Sequence, residues 1–177
     1  MKTQKTCGPG TALFYFRATQ FDERLVDEGE EWQDPKAPRY YYHVAVALDA
    51  KEKIEALGIG VCRDNIVYDG AFDAISPPVD PKKKNEALAK LLTLVGQRYD
   101  WWEDLDDALR IISYKLFGHE WVHLPVKLIR STARREKNCV AVLRKYLKWA
   151  GSPVRIPLFA TPLQAYQRIH EYLINLD

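Results

Sequence analysis

The chain has 177 residues, of which 47% are hydrophobic and 28% are charged. This composition is that of a globular protein, and the length favours a single domain over residues 1–177. The formal net charge of +2 excludes the strong basic excess of a simple nucleic-acid binder, and no apolar run reaches the ~18 residues needed to cross a bilayer. The polar start shows no secretory segment, so we expect a cytoplasmic protein with no nucleic-acid partner and no transmembrane segment.

The chain contains three cysteines, Cys7, Cys62 and Cys139. An odd number without paired spacing is not typical of a disulfide scaffold or of a cysteine-rich metal site. We therefore expect all three thiols to be free, and we expect the protein to need no metal and no other cofactor.

The first half of the chain shows the composition of β-strands. Residues 12–17 are aromatic and follow a Gly-Pro-Gly turn, and residues 40–48 are rich in aromatic and β-branched side chains. Residues 53–56 predict a returning strand after a turn. Residues 60–62 and 65–68 predict further strand pieces.

In the second half, apolar side chains recur with the spacing of amphipathic helices. The segments with this pattern are residues 86–95, 100–117, 139–150 and 162–173. Thr161 and Gln164 form a capping box, with Pro162 at the first helical position. Strands followed by helices predict an α+β fold, in which a small antiparallel sheet of four to six strands packs against the helix that begins at Cys139.

His43 lies on the same face of its predicted strand as Ala45 and Ala47. Two alanines leave a shallow face, against which we expect a helix backbone to pack closely. A three-residue loop at 48–50 would place Glu55 directly opposite His43, with Cβ atoms about 5 Å apart. A carboxylate in that position holds the imidazole in one tautomer and stabilises its protonated form.

Cys139 lies at the start of a predicted helix, after a polar run that includes Arg134, Arg135 and Lys137. The helix N-terminus and the basic side chains both favour the thiolate. A thiolate beside a histidine that a carboxylate orients is an arrangement for nucleophilic catalysis. The same spacing is also compatible with a structural role, in which the cysteine is a small core residue and the histidine a hydrogen-bonded strand residue.

The order of these segments resembles that of the circularly permuted NlpC-type papain-like proteins, which include the YiiX-like bacterial hydrolases and, more distantly, the lecithin retinol acyltransferases. Three segments of the first half, ALFYFR, YHVAVAL and KIEA, resemble the family patterns GDLLFFR, SHVGIYL and VIEA. In the second half, YDWW at residues 99–102 resembles YDYxG, and residues 138–151 resemble CSELVAxALxxAG. Thr161 and Pro162 match the TP that opens the last helix of the family.

The resemblance covers most of the chain and implies a papain-like fold in which Cys139 is the nucleophile, His43 the general base and acid, and Glu55 the orienting residue. It implies a thiol-dependent hydrolase, a peptidase or amidase or an acyl hydrolase, that forms an acyl-enzyme; transfer to another acceptor uses the same chemistry. The partner it implies is an amide or ester substrate, by analogy a cell-wall peptide or a lipid-linked acyl group. The sequence departs from the family at Val140 and Ala141, which replace Ser-Glu, and at Ala45, which replaces Gly.

A competing motif is His119-Glu120-Trp-Val-His123, a literal H-E-x-x-H. On a helix, two histidines four residues apart share a face and bind zinc, with the glutamate as base. Gly118 and Pro125 flank the motif, so it is a frayed helix end at best, and no convincing third ligand follows. A zinc metallopeptidase is therefore the alternative hypothesis, and a non-catalytic papain-like binding or assembly module is a further one.

Overall fold

The computed structural model describes residues 7–16, 31, 34–57, 60–97, 138–157 and 160–176. These residues form five strands and three helices. In chain order they are β1 (Ala12–Tyr15), β2 (His43–Ala47), β3 (Glu52–Leu57), β4 (Gly60–Asn65), β5 (Phe72–Ile75), α1 (Pro81–Leu92), α2 (Cys139–Trp149) and α3 (Pro162–Ile174). The predicted α+β class with a small antiparallel sheet is confirmed.

The five strands form one sheet in the order β4-β3-β2-β1-β5. Each neighbouring pair is antiparallel, so the chain runs mostly from one strand to an adjacent one. Strand β2 is central and every one of its residues is buried. The strand that contains the candidate catalytic residue His43 is therefore flanked by a strand on each side.

The two faces of the sheet pack against different groups of residues. Val44 and Val46 belong to the main hydrophobic core, which also contains Leu143 and Tyr146 of α2. Ala45 and Ala47 belong to a second, smaller cluster with Leu13, Cys7 and Ile66. Among the described residues no helix contributes to the cluster on the alanine face: the apolar side of α2 lies on the valine face, where the larger side chains bury more surface.

The helix boundaries follow capping side chains more closely than apolar periodicity. Asp80 caps α1 by accepting a hydrogen bond from the backbone N–H of Lys82 at 2.9 Å, and Pro81 occupies the first turn. The predicted start at residue 86 was five residues too late, because the first turn of α1 is polar and carries no apolar stripe. The capping box of Thr161 and Gln164 at the start of α3 is confirmed.

The sheet contains one strand that the sequence did not indicate. Strand β5 pairs with β1, and its Asp73 accepts hydrogen bonds from Arg39 and Tyr41, each at 2.7 Å. Strand β5 lies at the edge of the sheet and makes polar contacts, so its sequence lacks the alternation of apolar side chains that predicts a strand. The strand predicted at 65–68 is replaced by the end of β4 at Asn65.

Two of the predicted segments are not among the residues that the structure describes. The predicted helix at residues 100–117 and the H-E-x-x-H motif at His119, Glu120 and His123 both lie outside the described residues. Within the part of the chain that is described, no helix has both the length and the apolar character needed to span a membrane.

Candidate active site

Cys139 is the first residue of α2 and is half-buried. Asn138 caps the helix, and its side-chain oxygen accepts a hydrogen bond from the N–H of Ala141 at 2.7 Å. The N–H groups of a first helical turn have no acceptor within their own helix, so they give the end of α2 a positive potential. The basic residues Arg134, Arg135 and Lys137, expected to add to it, lie outside the described residues.

His43 is the first residue of β2 and links the two other predicted site residues. The Cys139 side chain is close enough to the His43 ring to help raise the pKa of that ring. On the other side, Nε2 of His43 donates to Oε2 of Glu55 at 2.9 Å. Each ring nitrogen has one in-plane hydrogen-bonding position, so this bond leaves Nδ1 available for a second partner. The structure thus brings together Cys139, His43 and Glu55, which lie on three different elements.

The strand register behind this contact differs from the prediction. Strand β2 pairs with β3 through Val46 opposite Ile54 and Ala47 opposite Lys53. This register places Glu55 opposite Ala45, so the predicted direct pairing of Glu55 with His43 is wrong by two residues. A shift of two residues leaves every side chain on its original face, and diagonal neighbours on one face are within reach of long side chains. The contact between His43 and Glu55 is therefore present in the structure, although the predicted register was wrong.

Both members of this pair are deeply buried, with 9% of His43 and 2% of Glu55 exposed. Burial by itself lowers the pKa of His43, but the hydrogen bonds with Cys139 and Glu55 outweigh it and raise the pKa from 6.5 to about 9. Burial raises the pKa of Glu55, but the hydrogen bond from His43 and the nearby positive charges bring it below its usual 4.5. At neutral pH the pair is therefore an imidazolium and a carboxylate.

Lys53 is a further residue of this cluster, and it was not among the predicted site residues. Its Nζ lies 2.7 Å from Oε2 of Glu55, and its side chain is 12% exposed. The same Nζ lies 4.7 Å from the centre of the Tyr15 ring. The sequence contained a usable signal, because Lys53 and Glu55 are two residues apart on a strand and therefore share the face of His43.

The other two cysteines have different surroundings, and all three thiols are free. Burial raises the pKa of the Cys7 thiol, against a smaller effect of the hydrogen bond from Tyr68. Burial also raises the pKa of the Cys62 thiol, and the charges of Glu55 and Asp64 add to this effect. Both thiols are therefore held in the protonated form, and neither is at the start of a helix beside His43 as Cys139 is.

The arrangement supplies the components of a nucleophilic acyl transfer. It offers a sulfur nucleophile, a proton carrier and helix N–H groups that can donate hydrogen bonds to a negatively charged substrate oxygen. The described residues contain no group of three or more His, Cys, Asp or Glu side chains that could hold a metal ion.

Scans against protein-family models, curated proteins and solved structures each found no match to this chain.

Proposed function

We propose that this protein is a thiol-dependent hydrolase with a papain-like fold of the permuted NlpC type, in which Cys139, His43 and Glu55 act as nucleophile, proton carrier and orienting residue. One observation carries the proposal: a thiol at a helix N-terminus lies beside a buried histidine, and Nε2 of that histidine is hydrogen-bonded to a buried carboxylate. A histidine with a purely structural role in the core would not require a thiol at a helix N-terminus as its neighbour.

In the first half of the reaction, the Cys139 thiolate attacks the carbonyl carbon of an amide or ester, and a C–S bond forms. The negative charge moves to the substrate oxygen, which accepts a hydrogen bond from the backbone N–H of Cys139. The His43 imidazolium then donates its proton to the leaving nitrogen or oxygen. The bond to the leaving group breaks, and a thioester to Cys139 remains.

In the second half, neutral His43 removes a proton from a water molecule, whose oxygen attacks the thioester carbonyl. The C–S bond breaks, the acid leaves, and the thiolate and imidazolium are restored. Glu55 keeps its hydrogen bond to Nε2 in both halves, so the ring keeps Nδ1 towards the sulfur. If an alcohol or amine replaces water, the same steps transfer the acyl group.

The substrate class follows from this chemistry and from the resemblance. The chemistry requires a carbonyl with a nitrogen or oxygen leaving group. The resemblance to the permuted NlpC-type proteins adds that the natural substrate is a cell-wall peptide or a lipid-linked acyl group.

The proposal is tested with p-nitrophenyl acetate, an ester whose good leaving group makes the acyl-enzyme accumulate. We expect a burst of nitrophenolate and an acetyl group on the peptide that contains Cys139. His43→Ala is expected to reduce the burst rate, because the thiolate loses its cationic partner. Cys62→Ser is the matched control and is expected to keep the burst.

Two results would overturn the proposal. One is acetylation confined to Cys7, Cys62 or surface lysines. The other is a Cys139 adduct that forms equally fast in His43→Ala, which would leave Cys139 as an ordinary accessible thiol on a non-catalytic module.

A further inference from the structure

Lys53 is unusual for its place in the sheet. It lies in β3 with most of its side chain buried, and lysine is seldom buried unless its charge is paired. The ammonium has two partners: Oε2 of Glu55 at 2.7 Å and the face of the Tyr15 ring at 4.7 Å from its centre. These contacts fix the ammonium beside the candidate active site.

Lys53 and His43 bind the same oxygen atom. Oε2 of Glu55 accepts from Nε2 of His43 at 2.9 Å and from Nζ of Lys53 at 2.7 Å. The Tyr15 ring lies against both cations, since its centre is 5.7 Å from that of the His43 ring. Lys53 therefore determines where the oxygen that orients His43 can lie.

Among the described residues, the Lys53 and His43 side chains share one carboxylate, that of Glu55. A buried ionic group is stable only when it is paired and hydrogen-bonded. Without the Lys53 ammonium, the shared oxygen of Glu55 would lose one of its two side-chain partners and would be held less firmly against His43.

Other titratable groups of the described residues also face this cluster. In β4, Cys62 lies opposite Glu55, and the exposed Asp64 lies opposite Lys53. Burial raises the pKa values of the Tyr15 hydroxyl and the Cys62 thiol, so both are uncharged near neutral pH. Asp69 and Cys7 interact electrostatically with Tyr15. Asp64 is in water, where its charge is screened.

We propose that Lys53 is a positioning residue of the thiol site: it holds Glu55 against His43 and thereby keeps the His43 ring in place beside Cys139. This inference rests on the proposed function, because it concerns the reactivity of the nucleophile. A purely structural Lys53–Glu55 ion pair would change the stability of the fold but not the pH dependence of Cys139.

The test uses iodoacetamide and measures the alkylation rate of each cysteine by peptide mass analysis from about pH 5 to 9. Lys53→Met is expected to slow Cys139 alkylation near pH 6 by roughly tenfold, the change given by a displacement of one pH unit in the profile. Lys53→Arg retains the charge and is expected to restore the wild-type profile. Lys51→Met is the matched control, because Lys51 is exposed on the preceding turn.

The outcomes separate this inference from the function on which it rests. If wild-type Cys139 reacts fast and His43→Ala reacts slowly, but Lys53→Met superimposes on wild type, the role of Lys53 is wrong and the proposed function stands. If wild-type Cys139 reacts no faster than Cys62, both are wrong. Should Lys53→Met fail to fold, Lys53→Gln removes the charge with a polar side chain, and the same comparison applies.

Discussion

Strand β2 presents two opposite kinds of surface in five residues. On one face Val44 and Val46 pack into the main core with α2, and on the other His43 enters a hydrogen-bonded cluster with Glu55. The first face contributes stability through buried apolar area. The second buries charges, whose desolvation offsets much of what their pairing gains. Substitutions on the valine face should therefore change mainly the free energy of unfolding. Substitutions in the His43 cluster should change mainly the reactivity of the candidate site.

The largest expected effect is the loss of turnover when the candidate nucleophile, Cys139, is replaced. Cys139→Ser replaces the thiolate by a hydroxyl that is not ionised near neutral pH, so the rate of p-nitrophenyl acetate turnover at this site should fall by about 10³-fold or more. The free energy of unfolding should change by less than about 1 kcal/mol, because the side chain is half-buried and similar in size. Turnover and urea unfolding of the same preparations check both statements. Retained turnover would remove Cys139 from the mechanism.

The second prediction concerns the apolar face. Leu143 of α2 is fully buried in the main core, so Leu143→Ala should lower the free energy of unfolding by about 3 kcal/mol. Well below its unfolding midpoint, the variant should alkylate Cys139 at nearly the wild-type rate. A large loss of Cys139 reactivity in a folded Leu143→Ala variant would show that the two faces are not separable.

The smallest predicted effect is the pH dependence of stability carried by His43. Its pKa is raised from 6.5 to about 9 on folding, so its interactions contribute fully below pH 6.5 and are lost as the pH rises through about 9. The pKa of Glu55 is lowered from 4.5, so its contribution is present above that value and is lost as the pH falls through the lowered pKa. Wild type should therefore be more stable than His43→Gln near pH 6, and this advantage should shrink on the order of 2 kcal/mol by about pH 9.5.

Urea unfolding of both proteins at the two pH values measures this difference, and the other titrating groups largely cancel between them. An advantage that is the same at both pH values would contradict a protonated His43 in the folded state.

The residues that could be predicted share a physical property: their positions follow from local periodicity or from capping. Alternation along β2 and β3 placed His43 and Glu55 on one face, and that result survived a register error of two residues because the side-chain period is also two. The start of α2 at Cys139 followed from the polar run before an apolar stripe.

What could not be predicted depends on long-range packing. Strand β5 exists because it pairs with β1, more than fifty residues earlier, and its Asp73 takes partners from residues 39 and 41. The burial of Lys53 depends on Tyr15, a residue of another strand. Which face of the sheet receives α2 was likewise determined by side-chain volume across the core, and strand alternation alone does not contain that information.

The most direct test of the central claim compares the three thiols of one chain. Iodoacetamide is applied near pH 6 to wild type and to His43→Ala, and the rates at Cys7, Cys62 and Cys139 are measured from the same samples. The account predicts that wild-type Cys139 reacts roughly tenfold or more faster than the other two, and that this excess disappears in His43→Ala. A wild-type Cys139 that reacts no faster than free cysteine at the same pH would contradict it.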